Sequence, residues 1–379
     1  MLELPPLSLY VHIPWCVKKC PYCDFNSHAL SDGIPEDAYI DALLTDFDSE
    51  VNTLQGRALY TIFFGGGTPS LMSAKGFDRF LCELEKRIRF SPDIEITMEA
   101  NPGTYEHDRF KDYRKAGINR LSLGVQSFQD EKLKTLGRIH SSDEARKAIE
   151  SLRGMGFDNF NIDLMHGLPG QSIQDGLSDL KKAIALEPTH ISWYQLTIEP
   201  NTVFYSKPPV LPEDDTLWSI QEKGWDLLAE AGYQQYEISA YSRPGRQAKH
   251  NLNYWQFGDY IGIGAGAHGK MTQQETGRIY RNWKTRMPSD YLAADKPFEA
   301  GNRILNEDDL PIEFMMNVLR LNQGVDHSLF QQRTGMAYSD IDAQCRQAIQ
   351  KGLLEQDRLQ PTKQGRLFLN DLLALFTDG

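Results

Sequence analysis

The 379-residue sequence has no apolar run long enough to cross a bilayer, no low-complexity tract and no block of like charge. These absences exclude a membrane-spanning helix, a disordered tail and a polybasic arm. Basic residues are the scarcer sign, 40 Lys and Arg against 52 Asp and Glu, and a formal net charge of −12 makes a poor binder of phosphate backbones. Nucleic acid is therefore not an expected partner. Cysteine is also scarce: five residues, an odd number, do not build a disulfide framework in a chain of this length. The start, MLELPPLSLYVHIP, has neither a basic n-region nor a long apolar h-region, so a reducing, cytoplasmic compartment is expected. What is present is a concentration of thiols, with Cys16, Cys20 and Cys23 inside eight positions.

Length alone predicts two to three domains at about 150 residues each. From residue 8 to about 198, short β-branched and aromatic runs alternate with helix-period stretches, the pattern of a parallel sheet built from βα units. The runs predict strands at 8–13, 60–64, 94–98, 120–125, 160–164 and 190–197, six units where a closed barrel has eight. A helix over 35–53 opens with Pro, Glu and Asp, and one from Ser172 carries Ile173, Leu177, Leu180 and Ile184 on one face.

Chemistry in such folds gathers at the carboxyl ends of strands. The first strand is followed by the cysteines, the second by Gly65-Gly66-Gly67-Thr68-Pro69, the third by Glu99-Ala100-Asn101-Pro102 and the fourth by Gln126. The fifth contains Asp163 and runs into His166-Gly167-Leu168-Pro169-Gly170. One pocket lined by sulfur, glycine backbone, acid and amide is the economical reading.

Beyond Pro200 a Pro-rich connector, 207–212, leads to a helix near 213–230 and a Tyr/Trp/Gly-rich stretch, 236–280, read as an extension of the sheet region. From about Asn306, three helical patterns followed by a turn-rich 352–365 predict a winged-helix-like terminus with a hairpin wing. Its seven Lys and Arg against eleven Asp and Glu favour a structural or protein-contact role over groove binding. The domains expected are 1–200, 201–300 and 301–379.

Thiolates at i, i+4 and i+7 can wrap a [4Fe–4S] cluster while leaving its fourth iron open to an exogenous ligand. Zinc held by the three cysteines with His12 or His28 is the competing reading, and plain packing the third. Cys82 and Cys345 stand among apolar residues in helical patterns and are expected as buried thiols. The run Gly262 to Gly269 suggests a dinucleotide fingerprint, but no helix start or βαβ unit follows it, so NAD is rejected.

The pair Cys16-Val17-Lys18-Lys19-Cys20-Pro21-Tyr22-Cys23 and Gly65-Gly66-Gly67-Thr68-Pro69 resembles the radical S-adenosylmethionine (SAM) family. That resemblance implies an α/β fold, a partial (β/α)6 radical-SAM barrel, with a C-terminal helical, winged-helix-like domain. It also implies a cluster on Cys16, Cys20 and Cys23 whose open iron is chelated by SAM, the source of a 5′-deoxyadenosyl radical. The resemblance narrows to the oxygen-independent coproporphyrinogen III oxidase group through Tyr10-Val11-His12-Ile13-Pro14-Trp15-Cys16, Glu99-Ala100-Asn101-Pro102, Gly124-Val125-Gln126-Ser127, Gly137-Arg138 and the segment from Asp163 to Gln171. It implies SAM contacts at Tyr10, Tyr22, Gly66, Gly67, Thr68, Glu99, Gln126, Arg138 and Asp163. The chemistry agrees: glycine lets backbone approach the ligand, Arg138 suits a carboxylate and an acid suits ribose hydroxyls.

Two departures redirect the function. The oxidases continue as CxxxCxxCxC where this chain has Phe25, and they carry a longer segment before the first cysteine, whereas fifteen residues precede Cys16 here. In turn, His250-Asn251-Leu252-Asn253-Tyr254-Trp255 matches the HNxxYW signature of the haem-chaperone branch of the group. An imidazole can ligate haem iron and aromatic rings can stack on a porphyrin, which makes His250 the candidate haem ligand, although a lone buried His is more commonly a hydrogen-bonded core residue. The expected function is a haem chaperone binding a [4Fe–4S] cluster, SAM and haem for an acceptor protein. The alternative is the oxidase itself, making protoporphyrinogen IX by radical decarboxylation. An electron donor and a homodimer are further partners compatible with this reading, as is peripheral membrane contact.

Overall fold

The computed structural model describes residues 2–30, 33–103 and 109–377. Its strands are β1 (Leu7–Ile13), β2 (Trp15–Cys16), β3 (His28–Ala29), β4 (Leu59–Gly66), β5 (Phe90–Ala100), β6 (Arg120–Gln126), β7 (Phe160–His166), β8 (His190–Gln195), β9 (Gln234–Glu237), β10 (Ala240–Ser242), β11 (Asp259–Ile263), β12 (His268–Gln273), β13 (Arg278–Lys284) and β14 (Glu299–Ile304). All six strands expected from the alternation are present, as β1 and β4 to β8. They lie side by side in chain order and pair in parallel. Helices between consecutive strands make every step a parallel crossover and cover the sheet, so β1 and β7 are buried along nearly their whole length.

The helices are punctuated as their residues dictate. Ser141 and Ser172 cap Ser142–Ser151 and Ile173–Ala185 through reciprocal bonds with Glu144 and Asp175. The helix expected over 35–53 runs Glu36–Glu50 and tightens into a 3-10 turn, Val51–Thr53. The core packs Leu9, Val11, Phe64, Met98, Leu123, Ile162 and Trp193 from the sheet against Phe47, Phe77 and Leu180 from the helices.

The sheet stays open, and the stretch read as its extension supplies most of both flanks, with pairings that the sequence did not specify. On the outer side of β1, β11 adds a seventh parallel strand, Leu7 opposite Asp259 through Val11 opposite Ile263. Three antiparallel strands, β12, β13 and β14, continue from it. On the other flank β8 is followed by antiparallel β10 and β9. The last sheet edges are thus β14 and β9, giving twelve strands in one sheet.

The C-terminal segment forms Asp309–Val318, His327–Thr334 and Asp342–Gln350, then antiparallel bridges, Leu354 to Pro361 and Val325 to Leu359, in place of a full hairpin wing, and two further short helices, Lys363–Leu367 and Leu369–Ala374. Its own core of Phe314, Phe330, Ile341, Cys345 and Leu359 takes in Phe257 and Ile279 from the sheet extension. Cys345 is buried as expected, but Cys82 is exposed. The apolar stripe of Ala74–Glu85 is Phe77, Phe80, Leu81 and Leu84, and position 82 is out of phase with it. No helix among the described residues is long and apolar enough to cross a membrane.

Candidate cluster and cofactor site

Cys16 ends β2, and Cys20 and Cys23 lie on the loop that follows it. β2 pairs with β3, Trp15 opposite His28 and Cys16 opposite Ala29, and this clasp closes residues 17–27 into a lobe beyond the carboxyl end of β1. The glycine-rich end of β4 grips the base of the lobe: Gly67 N donates to Ile13 O at 2.7 Å and Thr68 N to Trp15 O at 2.7 Å. Only glycine fits there. A Cβ on Gly67 would stand 2.4 Å from the Trp15 carbonyl oxygen, and one on Gly66, at φ +113°, 2.7 Å from the His12 ring.

Cys16, Cys20 and Cys23 line a cavity of about 360 Å³ with Gly66, Gly67 and Thr68. Burial pushes the Cys16 and Cys23 thiols above their ordinary range. Arg138 brings a cation to the thiols, its guanidinium 3.8 Å from Cys20 Sγ, and Lys18 and Lys19 line the same cavity. The same side chain donates to Asn101 Oδ1 and Gly124 O, both at 2.6 Å. A Cβ on Gly124 would come within 3.2 Å of Arg138 Nη2, so the glycine keeps that path clear.

Opposite the sulfurs stand two acids. Glu99 Oε2 accepts from Gly66 N at 3.2 Å, and loss of water around it, aided by the charge of Asp163, pushes its carboxyl up to about 8. Asp163 is likewise raised by burial, opposed by Asn161 and Ser122, whose side chains donate to it at 2.7 and 3.0 Å. A bulge between Gly124 and Gln126 sets β6 against β7 and holds Gln126 at φ +71°, a strained backbone for a non-glycine residue. Its Oε1 accepts from Tyr194 at 2.9 Å.

All three cysteines therefore share one cavity with Tyr22, Gly66, Gly67, Thr68, Glu99, Gln126, Arg138 and Asp163, drawn from five strand ends and the loops after them. Ser122, Ser192 and Tyr194 also line it and were missed by sequence reading. Inward alternation along β6 and β8 was the available signal, too common in sheets to single them out. Asn101 was quoted in a motif without a site role.

Tyr10 and His250 are placed elsewhere. The Tyr10 hydroxyl is 3.0 Å from His12 Nδ1, its ring stacks on Phe63, and it lines a second cavity of about 750 Å³. His250 lines neither cavity. Its ring is buried, with Nδ1 2.7 Å from Thr61 Oγ1 and Nε2 2.8 Å from the Tyr254 hydroxyl. The second cavity receives Tyr254 and Trp255 of the same motif instead.

The donor set, three thiols lining one cavity, suits a cluster. A four-iron cluster takes each thiolate on a different iron. A buried acid poised against ionisation and a guanidinium in the same cavity match a ligand bearing both a positive centre and a carboxylate, as SAM does.

Residues 10–183 match the Radical SAM superfamily and residues 305–368 the HemN C-terminal domain. The heme chaperone HemW of Escherichia coli is 55% identical over 99% of each chain, and that of Haemophilus influenzae is 53% identical over 99% of each. Among solved structures, the radical SAM enzyme coproporphyrinogen III oxidase (HemN) of Escherichia coli superposes with a TM-score of 0.83 at 25% identity, over 99% of this chain and 91% of that one.

Proposed function

Because the chain belongs to the heme chaperone HemW family of the radical SAM superfamily, we propose that it holds a [4Fe–4S] cluster and SAM at the first cavity and carries haem for delivery to an acceptor protein. The observation that carries this reading is the convergence of the CxxxCxxC thiols, the Gly66–Thr68 strand end, Arg138 and two buried acids on one cavity, in a chain more than half identical to heme chaperones. When bound, the cluster and SAM supply one-electron reductive chemistry. The chain's own residues do the positioning. Cys16, Cys20 and Cys23 would ligate iron after losing their protons, which makes loading pH-dependent. Arg138 would hold the SAM carboxylate, Glu99 would face its cationic end, and Asp163 with Ser122 would take ribose hydroxyls. Gly66 and Gly67 let the backbone come close. An acidic chain with free thiols fits a reducing cytoplasm.

The fold does not separate this reading from coproporphyrinogen oxidation, since the oxidase shares it. Position 25 does, being Phe25 where the oxidase pattern has a fourth cysteine. Anaerobic reconstitution is expected to yield four irons per chain, lost in Cys16→Ala. Haemin added to the protein is expected to develop a Soret band and to pass to an apo-haemoprotein. Turnover of coproporphyrinogen III with SAM and a reductant at an oxidase-like rate would overturn the chaperone reading.

A further inference from the structure

The second cavity, about 750 Å³, falls in the size range of cofactor pockets, about 300–1,000 Å³. It opens between the sheet extension, the helix Lys249–Trp255 and the cluster lobe, which contributes Asp24, Phe25 and Asn26. One wall is aromatic. Tyr254 and Tyr260 meet edge to face with centroids 4.5 Å apart, and Trp283 stands on β13 opposite His268 on β12. Such a wall offers faces and edges to a flat macrocycle.

Two histidines reach this cavity, and they differ. Both ring nitrogens of His12 are engaged, Nδ1 by the Tyr10 hydroxyl and Nε2 by Asn26 O at 2.8 Å. His268 is exposed on the cavity wall, and neither of its nitrogens has a hydrogen-bond partner among the described residues. Partial burial and then the charges of Arg281 and Arg286 pull its pKa below the ordinary value, leaving a neutral imidazole with a free lone pair. Of the cations there, Lys284 is committed to Asp46 and Glu50, and Arg281 to Glu313 and Tyr260. Arg286 forms no side-chain ion pair among the described residues and is exposed beside the cavity.

Resting on the haem-carrying function proposed above, we infer that haem sits in this second cavity, its iron ligated by His268, its propionates met by Arg286 and its ring against Tyr254, Tyr260 and Trp283. The HNxxYW helix then serves the cargo through Tyr254 and Trp255, while His250 is a positioning residue that orients Tyr254 from behind. The cavity is open on one side, as release of the cargo to an acceptor requires. Phe25 lines both cavities, so the cluster lobe forms part of the cargo wall.

Haemin and metal-free protoporphyrin IX are titrated into the reconstituted protein and into His268→Ala, Arg286→Glu and His250→Ala. Haemin affinity is expected to fall at least tenfold in His268→Ala with a displaced Soret band, and added imidazole is expected to restore the wild-type band. Metal-free porphyrin should bind His268→Ala like wild type and Arg286→Glu at least threefold more weakly. A haemin titration of His268→Ala indistinguishable from wild type would overturn the inference and leave haem carriage standing, as would loss of the wild-type band in His250→Ala with imidazole rescue there alone. No Soret band in the wild type would overturn the function proposed above.

Discussion

If Glu99 faces the cationic end of SAM, binding must remove a proton from it. With a carboxyl near 8, about nine in ten molecules carry the proton at pH 7, so binding is expected to release about 0.9 proton there. The ionised fraction rises from about 1 in 100 at pH 6 to about one half at pH 8 and nine tenths at pH 9, for the same carboxyl near 8. Affinity should therefore climb about fiftyfold from pH 6 to pH 8, roughly 2.3 kcal/mol, and less than twofold over the next pH unit. The assay is anaerobic calorimetry of the reconstituted protein in buffers of differing ionisation enthalpy, with SAM and with S-adenosylhomocysteine, which lacks the sulfonium charge. The ratio of the two affinities isolates the charge term, and Glu99→Gln should flatten it and abolish most of the proton release. A wild-type ratio that does not change with pH, with equal proton release in Glu99→Gln, would refute the assignment of Glu99.

Gly67→Ala should cost about 1–3 kcal/mol and impair cluster loading, because its Cβ meets the Trp15 backbone, whereas Gly154→Ala, with open space around it, should unfold like wild type in denaturant. Lys284→Met leaves Asp46 and Glu50 buried without their cation and should lower stability by about 3–5 kcal/mol. Chemical denaturation checks this against Lys134→Met, which breaks an exposed pair with Glu131 and should leave the midpoint in place. In the folded protein Cys82 should alkylate readily while Cys345, buried and pushed up to about 11, should label only after unfolding, as peptide mass spectrometry would show.

The six parallel strands were legible because buried parallel strands are near-continuous apolar runs, and because each is followed by helix-period sequence. β11 was not, since Asp259–Ile263 holds two glycine-adjacent apolar residues and its place beside β1 depends on contacts some 250 positions away. The cluster loop was legible for a different reason: thiols at i, i+4 and i+7 act within one segment, and their chemistry needs no partner from elsewhere. Glycine at 66 and 67 was readable as a close approach, but what approaches, the His12 ring and the Trp15 carbonyl, is a matter of packing. Motif membership did not by itself locate two residues: Tyr10 lines the second cavity, and His250, held by Thr61 and Tyr254, lines neither.

By itself, then, the amino-acid order determined the local matters: strand and helix rhythm, the spacing of the thiols, the glycines at a strand end and the absence of a fourth cysteine at Phe25. These are properties of residues within a few positions of one another, where periodicity and covalent geometry decide. The tertiary structure alone decided which acids share a cavity and so hold Glu99 protonated, which strand flanks β1, and which histidine meets the second cavity with its nitrogens free. Burial and charge proximity set those outcomes, and both are sums over neighbours that only the folded chain brings together.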